Sequence, residues 1–147
     1  MRLALTLLAA IGMALSSAAL KEHYNVGSSP CSINERWDCG TVNKSPYADI
    51  RGVPVAAIGM AGYLLLAVLV WTGPVQLLLV SAGAALGFSL QLTALEASVL
   101  QVWCIYCVAS LAVISLMTLL ALVYSIASFR TQRKSRARQE EFAAVGS

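Results

Sequence analysis

Four long stretches without a formal charge constrain this chain more than any other feature. They run Leu3–Leu20, Val53–Thr72, Val75–Leu95 and Ala97–Phe129. Arg2 and Lys21 bound the first, Gly73-Pro74 follows the second, Glu96 divides the third from the fourth, and Arg130 closes the last. A helix needs about 20 mainly apolar residues to cross a bilayer, within a range of about 17 to 25. The sequence therefore predicts spans at approximately 3–20, 53–72, 75–95 and 101–126, an outer loop at 21–52 and a basic cytoplasmic tail at 130–147. The fourth stretch is longer than a span requires, so its first residues are expected outside the hydrocarbon. The expected fold is all-α, a bundle of four transmembrane helices with an extracytoplasmic capping loop. Composition agrees: 12% of the chain is charged, against about 25% in an ordinary soluble domain.

The first stretch has a second reading. Arg2, the apolar run and Ser16-Ser17-Ala18-Ala19 also fit a cleavable secretory signal. The run exceeds the roughly 7–15 residues of a signal's core, so a retained anchor is the expectation. Orientation follows from Lys and Arg in short loops. Four spans put both termini on one side, with Arg2, Arg130, Arg133, Lys134, Arg136 and Arg138. The other side holds Lys21, Arg36, Lys44 and Arg51. The balance places both termini in the cytoplasm. The clustered basic residues of the tail suit a topology signal or anionic lipid better than nucleic acid.

This topology sends all four cysteines to one membrane face. Cys31 and Cys39 fall in the outer loop, and Cys104 and Cys107 at the outer end of the last span. Disulfides form and persist outside the cytoplasm. Cys104-Ile105-Tyr106-Cys107 is a C-x-x-C whose two sulfurs share one helix face. At a helix N-terminus, free N–H groups and the dipole favour a thiolate. Gly27, Ser28, Ser29 and Pro30 precede Cys31, and Gly40 follows Cys39. That composition suggests a mobile loop dithiol above a fixed one, the layout of a disulfide relay, since exchange needs only sulfur contact. Two structural disulfides remain an alternative. Tetrahedral zinc is disfavoured because the x7 spacing of the first pair is wider than the usual x2–4.

Other polar residues have blander readings. His23 is expected to be a solvated loop residue with proton acceptance as its alternative role, and Glu96 the polar boundary of the third helix. Gln91 is an amide within an apolar span and needs a partner, either a neighbouring helix or a quinone carbonyl. Trp103 and Tyr106 suit an interfacial belt or the wall of a pocket for a ring. The small residues Ser81 to Gly87, with Gly59 and Gly62, suggest close helix packing.

The chain resembles the vitamin K epoxide reductase family in its short bacterial form, over nearly its whole length. The resemblance rests on the early span, Cys31-x7-Cys39, the following Gly40-Thr41-Val42-Asn43-Lys44-Ser45-Pro46-Tyr47-Ala48, Gly52-Val53-Pro54-Val55-Ala56, and Cys104-Ile105-Tyr106-Cys107 opening the last span. In the disulfide bond formation B proteins the C-x-x-C comes first, the reverse order. The resemblance implies a quinone-linked thiol oxidoreductase of the bacterial inner membrane that supports disulfide formation, with the cysteines on the periplasmic side and no metal. It implies that Cys107 faces the quinone, Cys104 exchanges with Cys39, and Cys31 meets a separate thioredoxin-like, DsbA-like partner. It further implies that Ser45 supports the site and that the stretch after it forms a short capping helix. Vitamin K quinone or epoxide reduction is an alternative activity, and a non-catalytic scaffold an alternative class. Leu111 stands where the animal enzymes carry a ring-holding tyrosine, so those contacts are not carried over.

Overall fold

The computed structural model describes residues 1–27 and 29–145; Ser28 and the last two residues of the predicted tail lie outside them. Among the described residues, four helices are long and apolar enough to cross a membrane. They are α1 (Arg2–Tyr24), α3 (Val55–Thr72), α4 (Val75–Leu95, prolonged by a π-helical turn over Glu96–Leu100) and α5 (Ile105–Val145). A short helix, α2 (Cys39–Asn43), and a two-stranded hairpin, β1 (Asp49–Ile50) and β2 (Val53–Pro54), lie between α1 and α3. The chain is thus an all-α, multi-pass membrane bundle.

α1 packs against α3 and α5, and α4 packs chiefly against α5. Leu5 and Ala9 of α1, Tyr63 and Leu66 of α3, and Ile114 and Met117 of α5 are among the residues of the shared core. Leu7, Ile11, Leu65, Val68, Val80 and Leu119 face outward, as side chains in lipid can. Proline sets the entry to two spans. Pro54 precedes α3, and Pro74 precedes α4 with Gly73 extended ahead of it, because a proline pushes the preceding residue out of the helical region.

The small-residue expectation needs correction. Ala82 is buried and its carbonyl accepts from the Thr118 hydroxyl at 3.3 Å, but a Cβ on Gly62, Gly83 or Gly87 would meet nothing within 4 Å. Open space surrounds these three positions, and Gly62 lines a cavity inside the bundle. The close approaches are at Gly59, as expected, where a Cβ would come within 3.0 Å of the Ser16 hydroxyl on α1, and at Gly12, where a Cβ would overlap the Tyr63 ring.

Three boundaries also differ from expectation. α1 runs one turn past Lys21, to Tyr24. α5 starts at Ile105 rather than 101 and continues through the basic segment. The capping helix lies before Ser45, not after it. Asp38 explains that placement, because its carboxylate accepts from the N–H groups of Gly40 and Thr41 and so caps a helix that begins at Cys39. After Ser45 the chain forms turns and the hairpin instead. Arg51 and Gly52 both have positive φ, 54° and 82°, as a two-residue hairpin turn of the primed type requires.

Candidate functional site

The sequence from Asn34 to Asn43 docks onto the turn before α5. Asp38 N–H donates to the Trp103 carbonyl at 3.1 Å, and Trp103 N–H donates to the Arg36 carbonyl at 2.9 Å. The Trp37 and Trp103 rings pack 6.4 Å apart above this pairing. Trp103 therefore anchors the loop and does not wall the cavity. The loop that sequence composition suggested to be mobile is tied down here.

Docking brings the four cysteines together. Cys31 and Cys39 form a disulfide with Cα atoms 5.5 Å apart, while Cys104 and Cys107 are free thiols. Cys39 and Cys104 are each 0% exposed and share one apolar cluster with Cys31 and Val42, against which Tyr106 and Cys107 pack. Cys104 occupies the cap position of α5, its carbonyl accepting the first helical N–H from Val108 at 3.0 Å. Its sulfur thus sits where free N–H groups and the helix dipole favour negative charge. The Asn43 side-chain amide donates to the Cys104 sulfur at 3.5 Å and to the Cys39 carbonyl at 2.9 Å. Asn43 accordingly links the two pairs from α2.

Asp38 steadies this arrangement from the loop side. Its carboxyl is held below the usual carboxylate value, first by the Ser32 hydroxyl, then by the Thr41 hydroxyl, with the Thr41 and Gly40 N–H groups adding to them. Ser45 ends α2 by donating to the Val42 carbonyl at 2.8 Å.

A cavity of about 310 Å³ opens from this cluster into the bundle. Leu66, Phe88, Leu92 and Ile114 supply apolar wall, and Cys107, Tyr106, Glu96, His23, Asn43 and Ser45 line it too. Tyr63 also lines the cavity and its hydroxyl bonds to the Ser110 hydroxyl at 2.8 Å. Of the residues expected around a ring, Tyr106 lines the cavity while Gln91 is exposed on α4 and does not. Leu111 packs against the core cluster instead.

Two residues judged bland from sequence belong to the site. His23 is carried into it by the extra turn of α1. Its Nδ1 donates to the Asn43 carbonyl, and its Nε2 lies 3.7 Å from an Asp49 oxygen on the hairpin. Glu96 is 2% exposed. The π-helical turn that starts at Glu96 ends at Gln101, whose φ of 54° is left-handed. This folds the chain back so that Glu96 Oε2 accepts the Cys104 N–H at 3.1 Å. One sequence signal marks it: Glu96 is the sole charge between Val53 and Phe129, and an ionisable residue at membrane depth is a functional candidate by default.

An apolar four-helix bundle carrying a disulfide and a dithiol in one buried cluster defines a membrane thiol–disulfide protein. The sequence model of the Vitamin K epoxide reductase family matches residues 3–122, a stretch containing all four cysteines, and the chain belongs to that family of oxidoreductases. Against individually curated proteins the chain shows no match.

Proposed function

We propose that the protein passes electrons from the dithiol of a separate thioredoxin-like partner, through Cys31 and Cys39, to Cys104 and Cys107, and on to a membrane quinone. The observation that carries this reading is the burial of Cys39 and Cys104 in one cluster, with Cys107 lining the adjoining apolar cavity. Family membership supports the quinone link. The partner's two thiols become a disulfide as the loop disulfide is reduced. The loop dithiol then reduces a disulfide between Cys104 and Cys107 by exchange. Oxidising that second dithiol releases two electrons and two protons, which a quinone takes to become a hydroquinone.

The cavity fits such an acceptor, since a flat apolar ring suits its aliphatic and aromatic walls and ring oxygens suit its polar end. A bound quinone would supply the oxidising power, while the chain contributes orientation and thiolate stabilisation. Cys104 is the exchanging sulfur because Asn43 and the helix terminus favour its thiolate. Cys107 is the sulfur nearest the acceptor because it lines the cavity. By the balance of basic residues, the cysteines face the periplasm and both termini the cytoplasm of a bacterial inner membrane.

The test is quinone reduction by purified protein given a reduced thioredoxin-like donor. Cys104→Ala and Cys107→Ala abolish it; full activity in either sinks the mechanism. Cys31→Ala blocks the protein donor but spares a small dithiol, and equal loss with both donors removes Cys31 as the partner-facing sulfur.

A further inference from the structure

Glu96 is a buried carboxyl that, among the described residues, has no cation beside it. Among the described residues that line the cavity, no Lys or Arg appears, and His23 is paired with Asp49 instead. The Glu96 side chain accepts the Cys104 N–H, and Glu96 and Cys107 line the same cavity, with Cys107 one turn further along the helix that Cys104 begins. An ionised carboxylate removed from water is costly unless it is paired and hydrogen-bonded. A single N–H donor and no counter-ion leave this carboxyl able to gain a proton without breaking an ion pair. Cys107, on the same cavity wall, carries a sulfur that must lose a proton whenever Cys104 and Cys107 are oxidised.

We propose that Glu96 is the acid–base residue of the site, accepting the proton of the Cys107 thiol as that sulfur gives up its electrons and returning it on the cavity side. The proposal rests on the dithiol-to-quinone reading above. Forming the Cys104–Cys107 bond breaks two S–H bonds and releases two electrons and two protons. The electrons and an equal number of protons reach the quinone oxygens. Glu96 carries the Cys107 proton across the wall it shares with the cavity. The proton of Cys104, already shed where that sulfur is a thiolate, is made up from water. Glu96 also positions the start of α5 through the Cys104 N–H, and the two roles separate experimentally. In Glu96→Gln the amide oxygen still accepts that N–H but takes no proton.

The titratable groups facing this end of the cavity are Cys104, Cys107 and Tyr106 from α5 and its preceding turn, His23 from α1 and Tyr47 from the segment before the hairpin, with Tyr63 on α3. Asp49 reaches it through His23. The test uses the full chain in detergent with a small dithiol as donor and ubiquinone-1 as acceptor. General acid–base catalysis contributes about 10²–10⁴-fold, so Glu96→Gln is expected to lower kcat at least about 100-fold and to remove the acidic limb of the pH–rate profile. Glu96→Asp restores part of the rate and keeps the limb. A purely positioning role predicts wild-type kcat and profile in Glu96→Gln, and that result overturns the proposal.

A second measurement needs no quinone. Infrared difference spectra of reduced against oxidised protein should show a carboxyl band that disappears in Glu96→Gln and shifts in Glu96→Asp. A wild-type spectrum without it, or a band that persists unshifted in both variants, overturns the assignment. If wild-type protein fails to reduce quinone, the quinone reading falls, and the infrared arm alone decides whether Glu96 exchanges a proton with the Cys107 thiol.

Discussion

Replacing Gly12 with alanine tests the packing that shapes the cavity. The new Cβ would overlap the Tyr63 ring, which is 5% exposed and held by hydroxyl bonds to the Ser110 carbonyl and side chain at 3.0 and 2.8 Å. The ring cannot rotate aside without losing those bonds, and α1 cannot retreat without separating Leu5 and Ala9 from the core. Overpacking costs about 1–3 kcal/mol. Losing the hydroxyl bonds adds about 1 kcal/mol, and the better helix propensity of alanine offsets about as much. The net expectation is a loss of about 1–3 kcal/mol. Reversible unfolding in mixed micelles, followed by far-ultraviolet circular dichroism, measures it. A double-mutant cycle isolates the cause, because in a Tyr63→Ala background the obstructing ring is gone and Gly12→Ala should cost nothing. Gly83→Ala is the control, since open space surrounds that position. Full stability in Gly12→Ala, or the same loss in both backgrounds, refutes the reasoning.

Two further outcomes probe the cysteine cluster. Asp38→Ala removes the cap of α2 at a cost of about 1 kcal/mol and should make Cys104 alkylate faster; unchanged protection would count against the cap as the loop's tether. In wild-type protein the sign is fixed by a carboxyl held below its ordinary 3.8, led by the Ser32 hydroxyl. That stabilisation is complete above the ordinary value and fades only as pH falls through the lowered one, so loop protection should stay flat from neutral pH down to about pH 4. Asn43→Leu deletes the amide donor to the Cys104 sulfur and should slow thiolate alkylation there severalfold, measured after the loop disulfide is reduced. An equal rate would mean that the helix terminus stabilises the thiolate unaided.

The spans were legible because lipid excludes charge, so uncharged blocks report them directly. The grouping of the cysteines at one end followed from counting membrane crossings. What sequence missed lies at the ends of those blocks. Composition stops the first span at Lys21, but α1 continues for another turn and brings His23 beside Asn43. Glu96 reads as a terminus until the π-helical turn and the left-handed Gln101 fold the chain back on it. The glycine argument held at Gly59, which meets Ser16 of α1, and failed elsewhere for a related reason. Gly62, Gly83 and Gly87 satisfy a small-residue pattern, yet a pattern gives periodicity and not the azimuth of a helix in its bundle. Gly12 and Ser16 share such a spacing in α1, but the neighbour Gly12 meets, Tyr63, is visible only in the fold.

The docked loop bears on how the proposed relay would run. Cys31 is 6% exposed and Cys39 and Cys104 are sealed, so transfer between the pairs would occur out of water. A partner reaching Cys31 must first lift the segment that carries it. What holds that segment is the two backbone bonds to Trp103, the tilted indole pair, the Asn43 amide on the Cys104 sulfur, the His23 bond to the Asn43 carbonyl, and the buried Cys39 and Val42 side chains. The bonds contribute about 1 kcal/mol each and the buried side chains add to them, so opening costs several kcal/mol rather than unfolding the bundle. Exposing Cys31 leaves the Glu96 bond to the Cys104 N–H in place, but it loosens the cluster against which Cys107 packs. The two half-reactions would therefore share the cysteine cluster, with the loop serving the partner and the helix ends serving the quinone. Cys104, touched by Asn43 on one side and Glu96 on the other, is the sulfur at which they meet.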